Sequence, residues 1–221
     1  DNGATWAPKF DKFAGIGITD IKGSSSISTT PGVLYASTGD YDGTEVLNSI
    51  GVYKSTDMGE TWVATGLSYA LSGAQLLGHL VVYDDNTVVV AAKSTIKRTT
   101  NGGTSWTDVH TGSLSESSFG RMASFGDSIL ASDALNGLYY SVDKGVNWTE
   151  LQAPSSDGKY AICTDENGKF FIQDEQGQVK TVELLNEIIT NVGVKSTGYS
   201  AQQGYNQALL KRGSLLLDAA V

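Results

Sequence analysis

Gly51-Val52-Tyr53-Lys54-Ser55-Thr56-Asp57-Met58-Gly59-Glu60-Thr61-Trp62 is the stretch that decides the fold. An alternating apolar run ends in a serine, and an aspartate, a glycine and a tryptophan then follow at fixed intervals. The same order returns in Thr99-Thr100-Asn101-Gly102-Gly103-Thr104-Ser105-Trp106 and in Ser141-Val142-Asp143-Lys144-Gly145-Val146-Asn147-Trp148. An opening copy, Asp1-Asn2-Gly3-Ala4-Thr5-Trp6, lacks only the leading hydroxyl residue. The pattern Ser/Thr-x-Asp/Asn-x-Gly-x-x-Trp takes in all four tryptophans, at 6, 62, 106 and 148. A rhythm of roughly 40 to 55 residues is that of a repeat architecture.

Each copy has the chemistry of a self-sealed hairpin corner. The short Asp or Asn accepts hydrogen bonds from backbone amides just ahead, and the Gly tolerates positive φ, so the chain reverses tightly. The Ser or Thr adds a hydroxyl partner, and the Trp lays a large apolar surface on the outgoing strand. We therefore read Asp1, Gly3, Trp6, Ser55, Asp57, Gly59, Trp62, Asn101, Gly103, Trp106, Ser141, Asp143, Gly145 and Trp148 as structural residues. Trp62, Trp106 and Trp148 are expected to be largely buried just after their corners.

These four segments resemble the Asp-box, or BNR repeat, of β-propellers in the sialidase, sortilin and xyloglucanase groups and in a photosystem assembly factor. The resemblance implies an all-β fold, a β-propeller of four-stranded antiparallel blades with Asp-box turns. It implies no activity, because in those groups the box lies away from the active site.

Composition agrees with many short strands joined by tight turns: 221 residues, 40% hydrophobic, with 26 Gly against 3 Pro. No run approaches the roughly 18 apolar residues of a membrane helix, so no membrane insertion is expected, and no signal peptide stands at Asp1. A net charge of -9 argues against a nucleic-acid partner or an anionic membrane surface, both of which favour a basic face. Cys163, the one cysteine, alternates with strand residues and reads as a buried, inert thiol.

With the corner as the turn from third to fourth strand, the chain divides into blades at approximately 17–67, 74–112, 118–153 and 159–198, with partial blade strands at 1–10 and 199–221. That is about five blade equivalents. The fourth blade has no corner motif, and periodicity degrades beyond Leu184. Residues 186–200 are open to a role as the third strand of a last blade, and 208–218 to either a hairpin or a helix followed by a strand. The start inside a motif leads us to expect the rest of a longer chain, part of a larger propeller.

Ligands in such a fold are expected on the face opposite the corners. There the loop over 37–49 is much longer than its counterparts and carries Asp40, Asp42 and Glu45 around a glycine. Clustered oxygens suit calcium, but the spacing matches no full calcium-binding loop, and a solvated acidic loop is the favoured alternative. Tyr41 and Tyr69 offer rings for sugar stacking, so Asp40, Tyr41, Asp42, Glu45, Tyr69 and Asp133 form the candidate binding set, with Asp40, Asp42 and Glu45 as candidate calcium ligands. No other cofactor is expected.

A glycosidase requires two carboxylates across a cleft, and Asp20, Asp40, Asp133 and Asp174 fall near the inferred face. A sialidase needs three arginines to clamp its substrate; Arg98 falls on a third strand away from the axis, and Arg121 and Arg212 read as ordinary surface residues. The expectation is a non-catalytic module that binds glycan or protein in a secreted or cell-surface protein. The alternative is a fragment of an extracellular glycoside hydrolase, sialidase- or xyloglucanase-like.

Overall fold

The computed structural model describes residues 4–5, 7–9, 16–25, 32–39, 48–73, 75–111, 119–133, 137–151, 160–173, 178–194, 207–212 and 215–220. Asp1, Gly3 and Trp6, and with them the opening corner, lie outside the described residues. So do Asp40, Tyr41, Asp42, Glu45 and Asp174.

Four antiparallel four-stranded sheets follow one another along the chain. The first is β1 (Ile18–Gly23), β2 (Leu34–Thr38), β3 (Gly51–Ser55) and β4 (Val63–Ser68). The second is β5 (Leu77–Val82), β6 (Val88–Ala92), β7 (Thr95–Thr99) and β8 (Thr107–Thr111). The third is β9 (Phe119–Phe125), β10 (Ser128–Asp133), β11 (Gly137–Ser141) and β12 (Thr149–Leu151), and the fourth is β13 (Ala161–Thr164), β14 (Phe170–Gln173), β15 (Gln178–Glu183) and β16 (Ile188–Val194). A hairpin of β17 (Gln207–Arg212) and β18 (Leu215–Ala220) comes last. The first strands lie side by side in the order β1, β5, β9, β13, β17, while each fourth strand is outermost in its sheet. Sheets stacked around a shared set of inner strands are the blades of a β-propeller.

The apolar pattern explains the stacking. Every residue of β6 is buried, because the strand is covered on both faces. Val88, Val90 and Ala92 pack with Tyr35, Val52 and Leu67 of the first blade. Val89 and Ala91 turn the other way, onto Met122, Ile129 and Ala131 of the third. In the next seam Leu130, Leu138 and Leu151 meet Tyr160, Phe170 and Ile172. Side-chain period two thus becomes a core made of successive inter-blade layers.

The corners close as their chemistry dictates. Ser141 Oγ accepts from Gly145 N (2.9 Å) and donates to Asp143 Oδ1 (2.8 Å), which accepts from Asn147 N (2.9 Å). Ser55, Gly59, Asp57 and Thr61 repeat this set, as do Thr99, Gly103, Asn101 and Ser105. The glycines sit at φ of +89°, +85° and +78°, and Met58, Gly102 and Lys144 before them are also left-handed. The three tryptophans are half-buried rather than largely buried. The indoles of Trp62 and Trp148 fold back to donate to Gly59 O (3.1 Å) and Gly145 O (3.2 Å), which leaves part of each ring in solvent.

Trp106 makes no such bond, and Gly103 O accepts instead from Gly66 N of β4 (2.7 Å). Here the second corner docks on the first blade. A Cβ on Gly66 would lie 2.2 Å from Thr104 O, so this approach requires glycine.

Two uncertain segments resolve. Residues 188–194 pair with β15 as the fourth strand of the fourth blade, so they do not supply a third strand for the last one. Residues 207–220 form a hairpin, not a helix and a strand.

Candidate functional site

Strand register fixes which side chains reach the face opposite the corners. Asp20 pairs with Ser37, Leu77 with Ala92, and Arg121 with Ser132, all at the ends of second strands that lead away from the corners. Asp20, His79 and Arg121 are each the third residue of an inner strand in three adjacent blades. Lys22, paired with Tyr35, stands two residues further along β1, towards the corners.

Neighbouring inner strands share no sheet hydrogen bonds, and side chains of this group join them instead. Asp20 Oδ2 accepts from Leu80 N (2.9 Å), and its other oxygen lies 3.4 Å from Lys22 Nζ. The His79 Nδ1 atom stands 3.3 Å from Met122 O and 3.4 Å from Met122 N. Burial holds the His79 imidazole below the usual histidine range. Asp20 and the Met122 carbonyl oppose that depression, while Arg121 and Lys22 reinforce it. The ring is therefore neutral near pH 7.

The two described residues of the candidate binding set, Tyr69 and Asp133, lie at the strand ends away from the corners but outside the inner strands. Tyr69 packs on the seam between the first and second blades, where burial, with the Asp108 carboxylate second, pushes its hydroxyl up to about 12. Asp133 closes β10 with no exposed surface and acts electrostatically on His110, whose ring packs at a tilt against Tyr139, with centroids 4.6 Å apart. Among the described residues no three acidic, histidine or cysteine side chains gather as a metal would need. No helix is long and apolar enough to cross a membrane.

The sequence reading missed His79 and Lys22 and took Arg121 for an ordinary surface residue. For His79 and Arg121 the shared signal was position three of an inner strand, visible only once strand starts are known. It also missed a set of inter-blade clasps. Lys54, Arg98 and Tyr140 each precede a corner hydroxyl and reach the next blade's turns, at Asp85 O (3.1 Å), Lys144 O (2.9 Å) and Glu187 Oε1 (3.0 Å).

No protein-family model matches this chain, and no curated protein matches it. Solved structures do. The chain is similar to YCF48 from Cyanidioschyzon merolae at 15% identity over 83% of this chain and 57% of that one, with a TM-score of 0.57. It is similar to YCF48 bound to D1 peptide at 17% identity over 76% and 52% (TM-score 0.52), and to the GH74 enzyme of Niastella koreensis at 18% over 79% and 30% (TM-score 0.53). The chain thus spans just over half of the YCF48 chains and less than a third of the GH74 enzyme. These likenesses carry the β-propeller fold.

Proposed function

We propose that this chain is a non-catalytic β-propeller with Asp-box corners, serving as a glycan- or protein-binding module of a secreted or cell-surface protein. One observation carries the reading: among the described residues the inner strands hold a single carboxylate, Asp20, and both of its oxygens are engaged, by Leu80 N and by Lys22. Glycoside hydrolysis needs two carboxyl groups roughly 5 to 10 Å apart, one of them held protonated as the acid. Lys22 pairs with Asp20, and His79 on the next inner strand is influenced by both and by Arg121, groups that donate hydrogen bonds and recognise rather than hydrolyse.

The D1 peptide on one structure of similar fold and the GH74 chemistry of another illustrate the two outcomes to be separated. The purified chain should be displayed against a glycan array and a peptide library, and assayed in parallel on sialosides and xyloglucan. Binding weakened at least tenfold by Arg121→Ala, at unchanged melting temperature and without sugar release, is the expected result. Sugar release abolished by Asp20→Asn would overturn the reading in favour of the hydrolase fragment.

A further inference from the structure

Asparagine followed by glycine is a self-reactive pair. The amide nitrogen of the glycine can displace ammonia from the asparagine side chain, and glycine puts no Cβ in the way. The sequence holds four such pairs, beginning at 2, 101, 136 and 167. Asn101-Gly102 and Asn167-Gly168 lie within the described residues, each with an exposed asparagine. Exposure therefore does not separate them, but hydrogen bonding does.

The second corner immobilises Asn101. Its Oδ1 accepts from Thr99 Oγ1 (2.9 Å) and Ser105 N (3.0 Å), its Nδ2 donates to Ser105 Oγ (2.9 Å), and Gly102 N donates to Asn86 O (3.0 Å). Leaving group and attacking nitrogen are both held while the corner is closed, and the corner is tied to the first blade through Gly66. Asn167 sits instead in the turn from β13 to β14, where no partner holds its side-chain amide among the described residues. That turn is closed by Asp165: its carbonyl accepts from Gly168 N (3.1 Å), and its Oδ1 from Asn167 N (3.0 Å) and Lys169 N (2.9 Å). Bonds this local can open without disturbing the blade, at small cost in free energy. Gly168 is itself fixed by its place, at φ +82° with the Phe125 ring of β9 in the space a Cβ would enter. The packing thus keeps the one residue type that leaves Asn167 unshielded.

We propose that Asn167 is a site of spontaneous, irreversible modification by water, a reaction that the second corner blocks at Asn101. Gly168 N gives up its proton to hydroxide and bonds to Asn167 Cγ; the Cγ–Nδ2 bond breaks, and the nitrogen takes a proton from water and leaves as ammonia. Water then opens the resulting cyclic imide. Opening at Cγ leaves aspartate, whereas opening at the main-chain carbonyl leaves isoaspartate, with one extra carbon in the main chain of the turn. Either product adds a negative charge beside Asp165 and Glu166.

Cleavage after Lys and Arg places the four pairs in separate peptides. The full chain is incubated at mildly alkaline pH, folded and in parallel in denaturing urea, and the exchange of side-chain nitrogen for oxygen is followed in each peptide by mass spectrometry. Folded Asn101 is expected to react roughly tenfold or more slowly than unfolded Asn101, and folded Asn167 to stay within about threefold of its unfolded rate. Asp165→Ala removes the carboxylate that holds two of the turn amides. It is expected to bring folded Asn167 to its unfolded rate, and Asn167→Gln to remove the mass change from that peptide. Asn167 slowed by folding as strongly as Asn101 overturns the proposal, as does equal loss from both peptides in the folded chain.

Discussion

The corner joining β11 to β12 and the turn joining β15 to β16 perform the same reversal in adjacent blades with different chemistry. In the corner, Ser141 and Asp143 satisfy the backbone amides at 143, 145, 146 and 147, and Trp148 caps Gly145 O. The turn over 184–187 is closed by Glu187 N on Leu184 O (3.3 Å), with Glu187 itself at a φ of +53°, and Leu185 is 82% exposed. A corner that seals its own amides folds on local information. The turn in the fourth blade depends on the pairing of the strands around it. The comparison teaches that the motif is a means of closing a blade and not a requirement for one.

The sharpest way to break the comparison is at the corner glycine. A Cβ on Gly145, at φ +78°, would lie 2.8 Å from Val89 Cγ2 in the neighbouring blade, so Gly145→Ala combines left-handed strain with overpacking. It should cost roughly 2 to 5 kcal/mol in chemical denaturation. Gly126→Ala, at φ +55° with nothing within 4 Å of the added carbon, should cost only about 1 to 2 kcal/mol. Equal losses would mean that the seam contact contributes nothing.

Next in size is the hydroxyl. Ser141→Ala leaves the buried Gly145 N–H without its acceptor and should destabilise by about 1 to 3 kcal/mol. Asn186→Ala in the fourth-blade turn touches only a 3.5 Å contact to Glu183 and should stay within about 0.5 kcal/mol. Urea midpoints of the two variants at equal slope decide it.

Acid separates the corners from one another. Hydrogen bonds from Thr61 and then Ser55 hold the Asp57 carboxyl down at about 2. For Asp143, partial burial pushes upward, but bonds from Asn147, Ser141 and Val146 outweigh it and the net shift is downward. A carboxyl lowered on folding contributes stability above its unfolded pKa, and that stability is lost as pH falls through the folded value. Hydrogen exchange read between about pH 4 and pH 2 should therefore show the Thr61 and Asn147 amides losing protection. Ser105 N–H, held by the non-titrating Asn101, should keep its protection.

Histidine acts at higher pH. His79 and His110 are both depressed mainly by burial, so the unfolded chain binds protons more readily and stability falls as pH drops below about 6.5. Melting temperatures from pH 8 to pH 5.5 should decline, and the double variant His79→Gln, His110→Gln should flatten the slope. The smallest expected effect concerns the loop over 37–49. If Asp40, Asp42 and Glu45 hold calcium, millimolar calcium raises the melting temperature by mass action and Asp42→Ala abolishes the rise. Identical wild-type melts with calcium and with chelator leave a solvated acidic loop.

Ser/Thr, Asp/Asn, Gly and Trp at fixed spacing determined the corners by themselves, because every bond that closes a corner runs between residues at most four apart. The rhythm of those corners then determined the blade as the repeating unit, and alternation placed the strands of the first three blades. β16 was not legible: with no corner before it, only pairing with β15 identifies it as a strand. The seams were not legible either, since Gly66 against Gly103 and Arg98 against Lys144 join residues in different repeats. The axial group belongs wholly to tertiary structure. Asp20 meets Leu80 across 60 residues and His79 meets Met122 across 43, and no local pattern records contacts that exist only once the inner strands stand side by side.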